Sequence, residues 1–283
     1  MPASSPVRIN LQHLRRMKAE GRKFAMLTAY DYPTAAAAQA AGVHSLLIGD
    51  SMGTVILGHP STRPVPLALM ITLGEAVRRG APNVYLVGDM PYEAMVSDET
   101  AISAARRFRD EAGCDAVKFE AAAEHDRLVA KLAQAGLETI VHLGLRPQTV
   151  SSADGYRAQA RDEASIQTVV SDACRMVAAG AHMLLLEAVP NEASQAVVAA
   201  VDVPVIGCGA GPACDGHVVV TQDLLGIGAT PTPRFVPVFA QLGRAMEDAM
   251  RCWVQSIGDG SYPAPEHLYH MRKQPAARPT ASS

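Results

Sequence analysis

The 283-residue sequence has almost no net charge and no long run of basic residues. Lysine and arginine number 25 against 28 aspartates and glutamates, which leaves a formal net charge of −3. Proteins that bind nucleic acid or another polyanion usually carry a concentrated basic patch. We therefore expect no nucleic-acid partner, and a small neutral or anionic metabolite as the ligand.

Long apolar runs are also absent. Asp, Arg, Gly or Pro interrupts each hydrophobic stretch before it reaches the roughly 20 residues that a bilayer-spanning helix requires. Residues 1–6 show neither the basic region nor the apolar region of a secretory signal peptide. These absences predict a cytoplasmic protein with no membrane partner.

Cysteine is scarce and irregularly spaced. The chain has 5 cysteines, an odd number, and no C-x-x-C pair. Scattered cysteines of this kind are typical of reduced thiols in a cytosolic protein, and they argue against a disulfide framework. We expect them to fill space in the structure.

Hydrophobic residues, by contrast, make up 48% of the chain and recur in a regular rhythm. Apolar runs of strand length alternate with amphipathic segments of helix length, which predicts a parallel sheet whose strands are joined by helices. Strands are predicted near 25–30, 44–49, 84–88, 116–120, 139–144, 183–187, 203–208 and 217–221. Helices are predicted near 33–42, 66–80, 98–113, 124–136, 163–180, 191–200 and 235–256.

Eight such strands favour a closed (β/α)8 TIM barrel, formed by a single domain over 1–283 with its core at about 8–270. A six-stranded open sheet is the alternative, because the strand near 217–221 is followed by a short or broken helix. A short N-terminal helix capped by Asn10 is expected to act as a lid or plug. Residues 272–283, rich in Pro, Ala and Ser, are expected to form a disordered tail.

Acids and other polar residues follow several of the predicted strands. In a TIM barrel the functional groups lie at the carboxyl ends of the strands, so these side chains are expected to meet at one mouth. They are Tyr30, Asp31, Asp50, Ser51, Asp89, Lys118, Glu120, His142 and Glu187. A single Asp after a strand is more often a helix cap or turn former. Acids at four strand ends favour a functional cluster instead.

Carboxylates that converge repel one another unless a cation or protons intervene. Oxygen ligands of this kind suit Mg²⁺. We predict Mg²⁺ on Asp50 and Asp89, with Glu120 as a third ligand or as the residue that holds a water on the metal. Such a site would chelate a 2-oxo acid through its carboxylate and ketone oxygens and would stabilise the enolate formed at the neighbouring carbon.

The remaining polar residues complete this hypothesis. Lys118 and Ser51 are predicted to bind the substrate carboxylate. Glu187 ends a leucine-rich strand, whose apolar setting is expected to raise the pKa of its carboxyl, as a general base requires. His142 is interpreted either as a substrate contact or as a hydrogen-bonded imidazole at a strand end. The predicted substrate-binding set is Asp50, Ser51, Asp89, Lys118 and His142.

Two short motifs are set aside. Residues 49–53 match the G-x-S-x-G nucleophile elbow of serine hydrolases, but an elbow leads into a helix, and the glycine and prolines within 58–64 predict none here. Residues 207–211 begin like a dinucleotide-binding loop, but Pro212 stands where the third glycine is needed. A serine hydrolase acting through Ser51 is kept as a distant alternative.

Six short strings form a specific combination along the chain. They are TAYDY at 28–32, GDSMG at 49–53, RRGAPN at 78–83, VKFE at 117–120, HLGLRPQ at 142–148 and VIGCGAG at 205–211. In this combination the sequence resembles the ketopantoate hydroxymethyltransferase family. The resemblance implies a barrel of the phosphoenolpyruvate mutase and isocitrate lyase type. It also implies that the protein uses Mg²⁺ and 5,10-methylenetetrahydrofolate to add a hydroxymethyl group to 3-methyl-2-oxobutanoate, a step toward pantothenate.

The resemblance further implies roles for individual residues, and these agree with the hypothesis above. The matching residues are the metal ligands Asp50, Asp89 and Glu120, the carboxylate contacts Ser51 and Lys118, and the base Glu187. Folate as the one-carbon donor follows from the resemblance alone. A large ring-like homo-oligomer, often a decamer, is also implied.

The sequence departs from the usual pattern of that family mainly in residues 57–66. These read LGHPSTRPVP, whereas the family usually has QGHDSTLPVT. TLG at 72–74 replaces a usual Tyr-His-Thr, and Asp154, Ala160 and His217 replace Gly, Gly and Gln. A changed loop beside the site would alter the acceptor or the one-carbon donor.

Two other functions are considered. One is a Mg²⁺-dependent lyase or mutase of the same barrel superfamily that acts on another 2-oxo acid. The other is a noncatalytic paralogue that serves as a subunit of an oligomer. The retained acids argue against the second, because a scaffold has no need of a costly carboxylate cluster.

Overall fold

The computed structural model describes residues 7–150, 157–228 and 232–272 and shows parallel strands that alternate with helices. The strands are β1 (Phe24–Thr28), β2 (Ser45–Ile48), β3 (Tyr85–Asp89), β4 (Ala116–Glu120), β5 (Glu138–Gly144), β6 (Met183–Glu187), β7 (Val205–Cys208) and β8 (Gly216–Val219). Each strand pairs with the next one along the chain, and β8 pairs with β1, where Gly216 lies opposite Phe24. The sheet is therefore a closed barrel. The predicted (β/α)8 fold is confirmed, and the alternative of an open sheet is wrong.

Helices follow most of the strands. The α-helices are α1 (Leu11–Ala19), α2 (Tyr32–Ala40), α3 (Met52–Val55), α4 (Leu67–Gly80), α5 (Asp98–Asp110), α6 (Asp126–Gln134), α7 (Glu163–Ala178), α8 (Asn191–Ala200), α9 (Thr221–Leu225) and α10 (Leu242–Gly258). Capping boxes at Ser97 and Asp162 satisfy free backbone N–H groups and so define where α5 and α7 begin. Among the helices of the described ranges, none has both the length and the hydropathy of a membrane-spanning segment.

The interior of the barrel is filled by alternate residues of every strand. Met26, Leu47, Val87, Ala116, Ile140, Leu185, Ile206 and Val218 belong to one buried cluster. Because side chains alternate along a strand, the residues two positions beyond Val87, Ala116, Ile140 and Leu185 face the same interior. Those residues are Asp89, Lys118, His142 and Glu187. The strand periodicity itself therefore directs the predicted site residues into one mouth.

Helix α1 closes the opposite end of the barrel. Leu11, Leu14 and Met17 are buried in the interior cluster together with Phe24, the first residue of β1. The side chain of Asn10 accepts a hydrogen bond from the backbone N–H of His13 at 3.1 Å and caps the helix. Burying each of the three apolar side chains contributes roughly 1.5–3 kcal/mol. The N-terminal helix is a plug, as predicted.

The chain after β8 differs in part from the prediction. Helix α9 has five residues, which agrees with a short following helix. The last long helix begins at Leu242 and not near 235, because Pro233 and Pro237 lack the N–H groups that a helix needs. The predicted tail lies outside the described residues from position 273 onward, as does Asp154.

Candidate active site

Four charged side chains meet at the carboxyl ends of three neighbouring strands. Asp50 follows β2, Asp89 ends β3, and Lys118 and Glu120 share one face of β4. Their exposures are 6%, 1%, 5% and 9%, so all four are buried. The structure thus brings together the acids and the lysine that the sequence pattern grouped.

An ion pair between Lys118 and Asp89 lies at the centre of this group. The two residues are register partners on β3 and β4, and Nζ of Lys118 donates to Oδ1 of Asp89 at 2.6 Å. The second oxygen of Asp89, Oδ2, accepts from the backbone N–H of Asp50 at 3.1 Å. An ammonium group has three protons, so Lys118 keeps donors for a further anionic partner.

Burial sets the electrostatics of the group. Desolvation raises the pKa of Asp89 to about 7, with Lys118 opposing the rise and Asp50 adding to it. Desolvation likewise raises the pKa of Glu120 to about 8, against the lowering effect of Lys118. Burial alone would lower the pKa of Lys118, but the carboxylates of Asp89, Asp50 and Glu120 outweigh burial and raise it. Lys118 is therefore a charged ammonium, and the three acids around it carry more negative charge than this one ammonium can neutralise.

Gln148 is a site residue to which the sequence analysis assigned no role. It is 5% exposed, and its Nε2 donates to Oδ2 of Asp50 at 2.9 Å and to the carbonyl oxygen of Met90 at 3.0 Å. Its backbone N–H lies 3.0 and 3.2 Å from the two carboxylate oxygens of Glu120. The only sequence signal was its place at the end of the HLGLRPQ string.

The hydroxyl of Ser51 is not a free nucleophile, because it contacts another side chain. Its Oγ lies 2.8 Å from the hydroxyl of Tyr30, a buried residue two positions after the end of β1. Burial raises the pKa of that tyrosine hydroxyl, so it remains protonated.

The expectation that no helix follows Ser51 was wrong, since α3 begins at Met52. This helix has only one turn. The chain then folds back over Gly53, where an added Cβ would lie 2.8 Å from Val65 and 3.0 Å from the carbonyl oxygen of Ser61.

His142 and Glu187 form a second pair in the mouth. Nε2 of His142 is 3.2 Å from Oε2 of Glu187, within hydrogen-bond distance but poorly aligned, so neither ring nitrogen of this buried imidazole makes a well-formed hydrogen bond within the described part of the chain. Desolvation and the charge of Lys118 lower the pKa of His142 and outweigh the raising effect of Glu187, which keeps the ring neutral. Glu187 is the more accessible of the two, with 19% of its side chain exposed.

The backbone beside Glu187 is strained. Ala188 has φ 48° and Ala160 has φ 53°, both in the left-handed region that non-glycine residues avoid. Their segments are joined by a hydrogen bond from the N–H of Gln159 to the carbonyl oxygen of Ala188 at 2.8 Å. Strained backbone of this kind is typical of functional sites. Ala160 is also one of the positions where the family pattern usually has glycine.

Gly144 controls how closely β5 approaches Glu187. Its φ is 91°, and an added Cβ would lie 2.4 Å from the carbonyl oxygen of Glu187. Gly144→Ala is therefore expected to lower the free energy of unfolding by more than the roughly 1–3 kcal/mol of a left-handed alanine, because the two strands must also separate. The measurement is urea denaturation. Gly136→Ala is the control, since Gly136 has φ 69° and open space around it; equal losses in the two variants would contradict the close approach.

The three carboxylates do not form a complete metal centre by themselves. Among the residues that the structure describes, no group of three or more His, Cys, Asp and Glu side chains is arranged to hold an ion. Gln148 separates them, since it occupies an oxygen of Asp50 and both oxygens of Glu120. What remains is a pair of neighbouring aspartates, Asp50 and Asp89, with a third acid close by.

Comparison with known proteins agrees with the resemblance seen in the sequence. Residues 8–265 match the model of the ketopantoate hydroxymethyltransferase family. A 3-methyl-2-oxobutanoate hydroxymethyltransferase from Geobacillus kaustophilus is 42% identical over 259 residues, which cover 91% of this chain and 93% of that protein. The enzyme of the same name from Mycobacterium marinum is 40% identical over 269 residues, 94% of this chain and 90% of the relative.

Solved structures share the barrel at much lower identity. A phosphonopyruvate hydrolase in complex with oxalate and Mg²⁺ superposes with a TM-score of 0.61 at 14% identity, over 93% of this chain and 92% of that chain. A 2,3-dimethylmalate lyase, a member of the PEP mutase/isocitrate lyase superfamily, superposes with a TM-score of 0.59 at 16% identity, over 90% and 92% of the two chains. Identities this low establish the fold alone. The family match over nearly the whole chain and the relatives at about 40% identity go further, and by them the chain belongs to the ketopantoate hydroxymethyltransferase family.

Proposed function

We propose that the protein transfers a hydroxymethyl group from 5,10-methylenetetrahydrofolate to 3-methyl-2-oxobutanoate and so makes ketopantoate for pantothenate biosynthesis. The observation that carries the proposal is the buried group of Asp50, Asp89, Glu120 and Lys118 at the barrel mouth, in a chain whose relatives bear the name of this enzyme. Enolate chemistry on a 2-oxo acid requires positive charge near the ketone oxygen, where negative charge develops. Lys118 and a cation held by these acids would supply it.

The residues present fit Mg²⁺. Three carboxylates face a single ammonium, and the raised pKa values of Asp89 and Glu120 reflect negative charge that is desolvated and incompletely neutralised. Asp50 and Asp89 would hold the ion, and Glu120 would act as a third ligand or would orient a water on it. When bound, Mg²⁺ would supply Lewis-acid stabilisation of the negative charge that develops on the substrate.

The protein's own side chains would bind and orient the oxo acid. The ammonium of Lys118 and the hydroxyl of Ser51 would bind its carboxylate. Tyr30 supports this role, because its hydroxyl lies 2.8 Å from Oγ of Ser51 and fixes the direction of that group. His142 would contact the substrate, since its buried ring nitrogens make no well-formed hydrogen bond to the described residues.

Glu187 would act as the general base. Its carboxylate would take the proton from the carbon next to the ketone. The electron pair of that C–H bond would be delocalised onto the ketone oxygen, which gives the enolate. The enolate carbon would then form a carbon–carbon bond with the methylene carbon of the folate as the first of its two C–N bonds breaks. The oxygen of a water molecule would replace the second nitrogen, and the two folate nitrogens would take up the proton that Glu187 removed and one proton of that water. The accessible position of Glu187 in the mouth supports this role.

The decisive assay follows the consumption of 3-methyl-2-oxobutanoate with and without methylenetetrahydrofolate in the presence of Mg²⁺. We expect ketopantoate to form only when the folate is present. Turnover that does not need folate, or no turnover at all, would overturn the proposal. A cleavage product from another oxo acid would identify a lyase on the same fold.

We also propose that the protein is a homo-oligomer, with a decamer as the assembly that the family resemblance implies. Helix α10 supports this, because the described part of the chain buries none of its residues. Leu242, Met246, Trp253 and Ile257 are between 39% and 51% exposed, and their spacing places them on one stripe. An exposed apolar stripe of this length is typical of a surface covered by another subunit.

The stripe leads to a direct prediction. Met246→Glu is expected to dissociate the assembly, since a buried unpaired carboxylate would oppose its closure. Light scattering after size exclusion would then show a fall from about ten times the 29.8 kDa chain mass toward smaller species. Gln255→Glu adds the same charge on the opposite face of α10 and is expected to leave the mass unchanged. An unchanged mass in the Met246 variant would place the interface elsewhere.

A further inference from the structure

We propose that Arg63 is a positioning residue that holds Gln148 and, through it, orients Asp50 and Glu120. Arg63 lies in segment 57–66, where the sequence departs most from the family pattern. The proposal rests on the proposed function only in that Asp50 is taken as a metal ligand. Arg63 would thus allow a loop that departs from the family pattern to keep Asp50 and Glu120, which match that pattern, in place.

One guanidinium joins three loops of the barrel mouth. Nε of Arg63, on the loop that follows β2, donates to the backbone carbonyl oxygen of Gln148 at 2.6 Å, on the loop that follows β5. Its Cζ also lies 4.8 Å from the ring centre of Tyr92, on the loop that follows β3. This distance places the cation over the aromatic face, an attractive arrangement.

Gln148 needs such support. It belongs to a 3₁₀ helix of only three residues, Pro147–Thr149, which is too short to hold a side chain in place by itself. Yet its amide group contacts Asp50 and its backbone N–H contacts Glu120. A small shift of this turn would therefore move hydrogen-bond donors away from two acids at once.

Arginine is suited to this position in a way that other residues are not. Its planar group offers an in-plane N–H to the carbonyl oxygen while its face stacks on a ring, and lysine cannot do both. A leucine at this position would offer neither contact. The point where this loop enters α4 is anchored independently of Arg63, because the N–H of Leu67, the first residue of α4, donates to Oε1 of Glu93 at 2.8 Å. Arg63→Leu should thus leave the path of the loop intact while removing the hold on Gln148.

The first test needs no metal. Hydrogen exchange by mass spectrometry is followed in the peptide that spans residues 145–150, in wild type and in Arg63→Leu. We expect exchange of this peptide to become about tenfold faster, which corresponds to the loss of one charge-assisted hydrogen bond. Arg79→Leu is the control, because Arg79 is an exposed arginine that pairs with Glu75 on α4. Exchange in the Arg63 variant that equals wild type would overturn the proposal.

The second test asks whether the effect passes through the side chain of Gln148. Mn²⁺ binding is measured by electron paramagnetic resonance in Arg63→Leu, Gln148→Ala and the double variant. Each single change is expected to weaken Mn²⁺ binding about tenfold. The double variant is expected to lose clearly less than the hundredfold product, because both changes release the same contact with Asp50. Multiplied effects in the double variant would show that Arg63 acts by another route. If wild type binds no Mn²⁺, the proposed metal site fails, and the exchange experiment still decides the role of Arg63.

Discussion

Glu187→Gln is expected to slow the exchange of the C3 proton of 3-methyl-2-oxobutanoate with deuterated water by about 10²–10⁴-fold, the usual contribution of a general base. The exchange reports removal of that proton directly and needs no folate, so it isolates the first chemical step. An amide has nearly the size of the carboxylate but cannot accept the proton. Exchange is measured by proton NMR in the presence of Mg²⁺.

A matched control is available on a neighbouring strand. Glu138 begins β5, at the opposite end of the barrel, where it accepts a hydrogen bond from Tyr85. Glu138→Gln makes the same chemical change away from the mouth and should leave exchange unchanged. Wild-type exchange in Glu187→Gln would identify another residue as the base. Loss of Mg²⁺ binding in that variant would instead make Glu187 a ligand.

The second large effect concerns pH and the metal. In the metal-free protein the pKa of Asp89 is about 7 and that of Glu120 about 8, whereas carboxyls in an unfolded chain titrate near 4. Between these values the folded state binds more protons than the unfolded state, so the free energy of unfolding falls as pH rises from about 4 to about 8. Because one pKa unit corresponds to about 1.4 kcal/mol, the total loss is several kcal/mol.

Mg²⁺ is expected to reverse this loss, because the cation takes the place of the protons. The rise in melting temperature on adding Mg²⁺ should therefore be larger at pH 8 than at pH 6, as measured by calorimetry. Glu120→Gln removes one titrating group and should flatten the pH dependence near 8, while the amide oxygen can still accept from Gln148. Stability that rises with pH, or a Mg²⁺ effect that does not change with pH, would contradict this account of the acids.

Much of this architecture follows from local patterns. Short apolar runs spaced by helix-length segments lead to eight parallel strands, and a strand period of two directs Asp89, Lys118 and Glu187 toward one mouth. Asn10 and the apolar stripe behind it lead to the plug helix. These features depend only on residues near one another in the chain, which is why they are visible in the sequence.

Other features depend on contacts between distant residues. The chain folds back over Gly53, so that Ser61 and Val65 pack against the single turn of α3. Gln148 reaches Asp50 across 98 residues and Arg63 across 85, and no local spacing encodes such pairs. The ion pair between Lys118 and Asp89 is likewise a matter of the register between two strands.

The barrel, the acids at its strand ends and, through the resemblance, the family can all be predicted from the residue pattern. How those acids are held depends on the folded molecule. It placed Lys118 on Asp89 and Gln148 between Asp50 and Glu120. The physical reason is that a strand period depends on nearest neighbours, whereas the pKa and the partner of a buried charge depend on what the fold brings within about 4 Å of it.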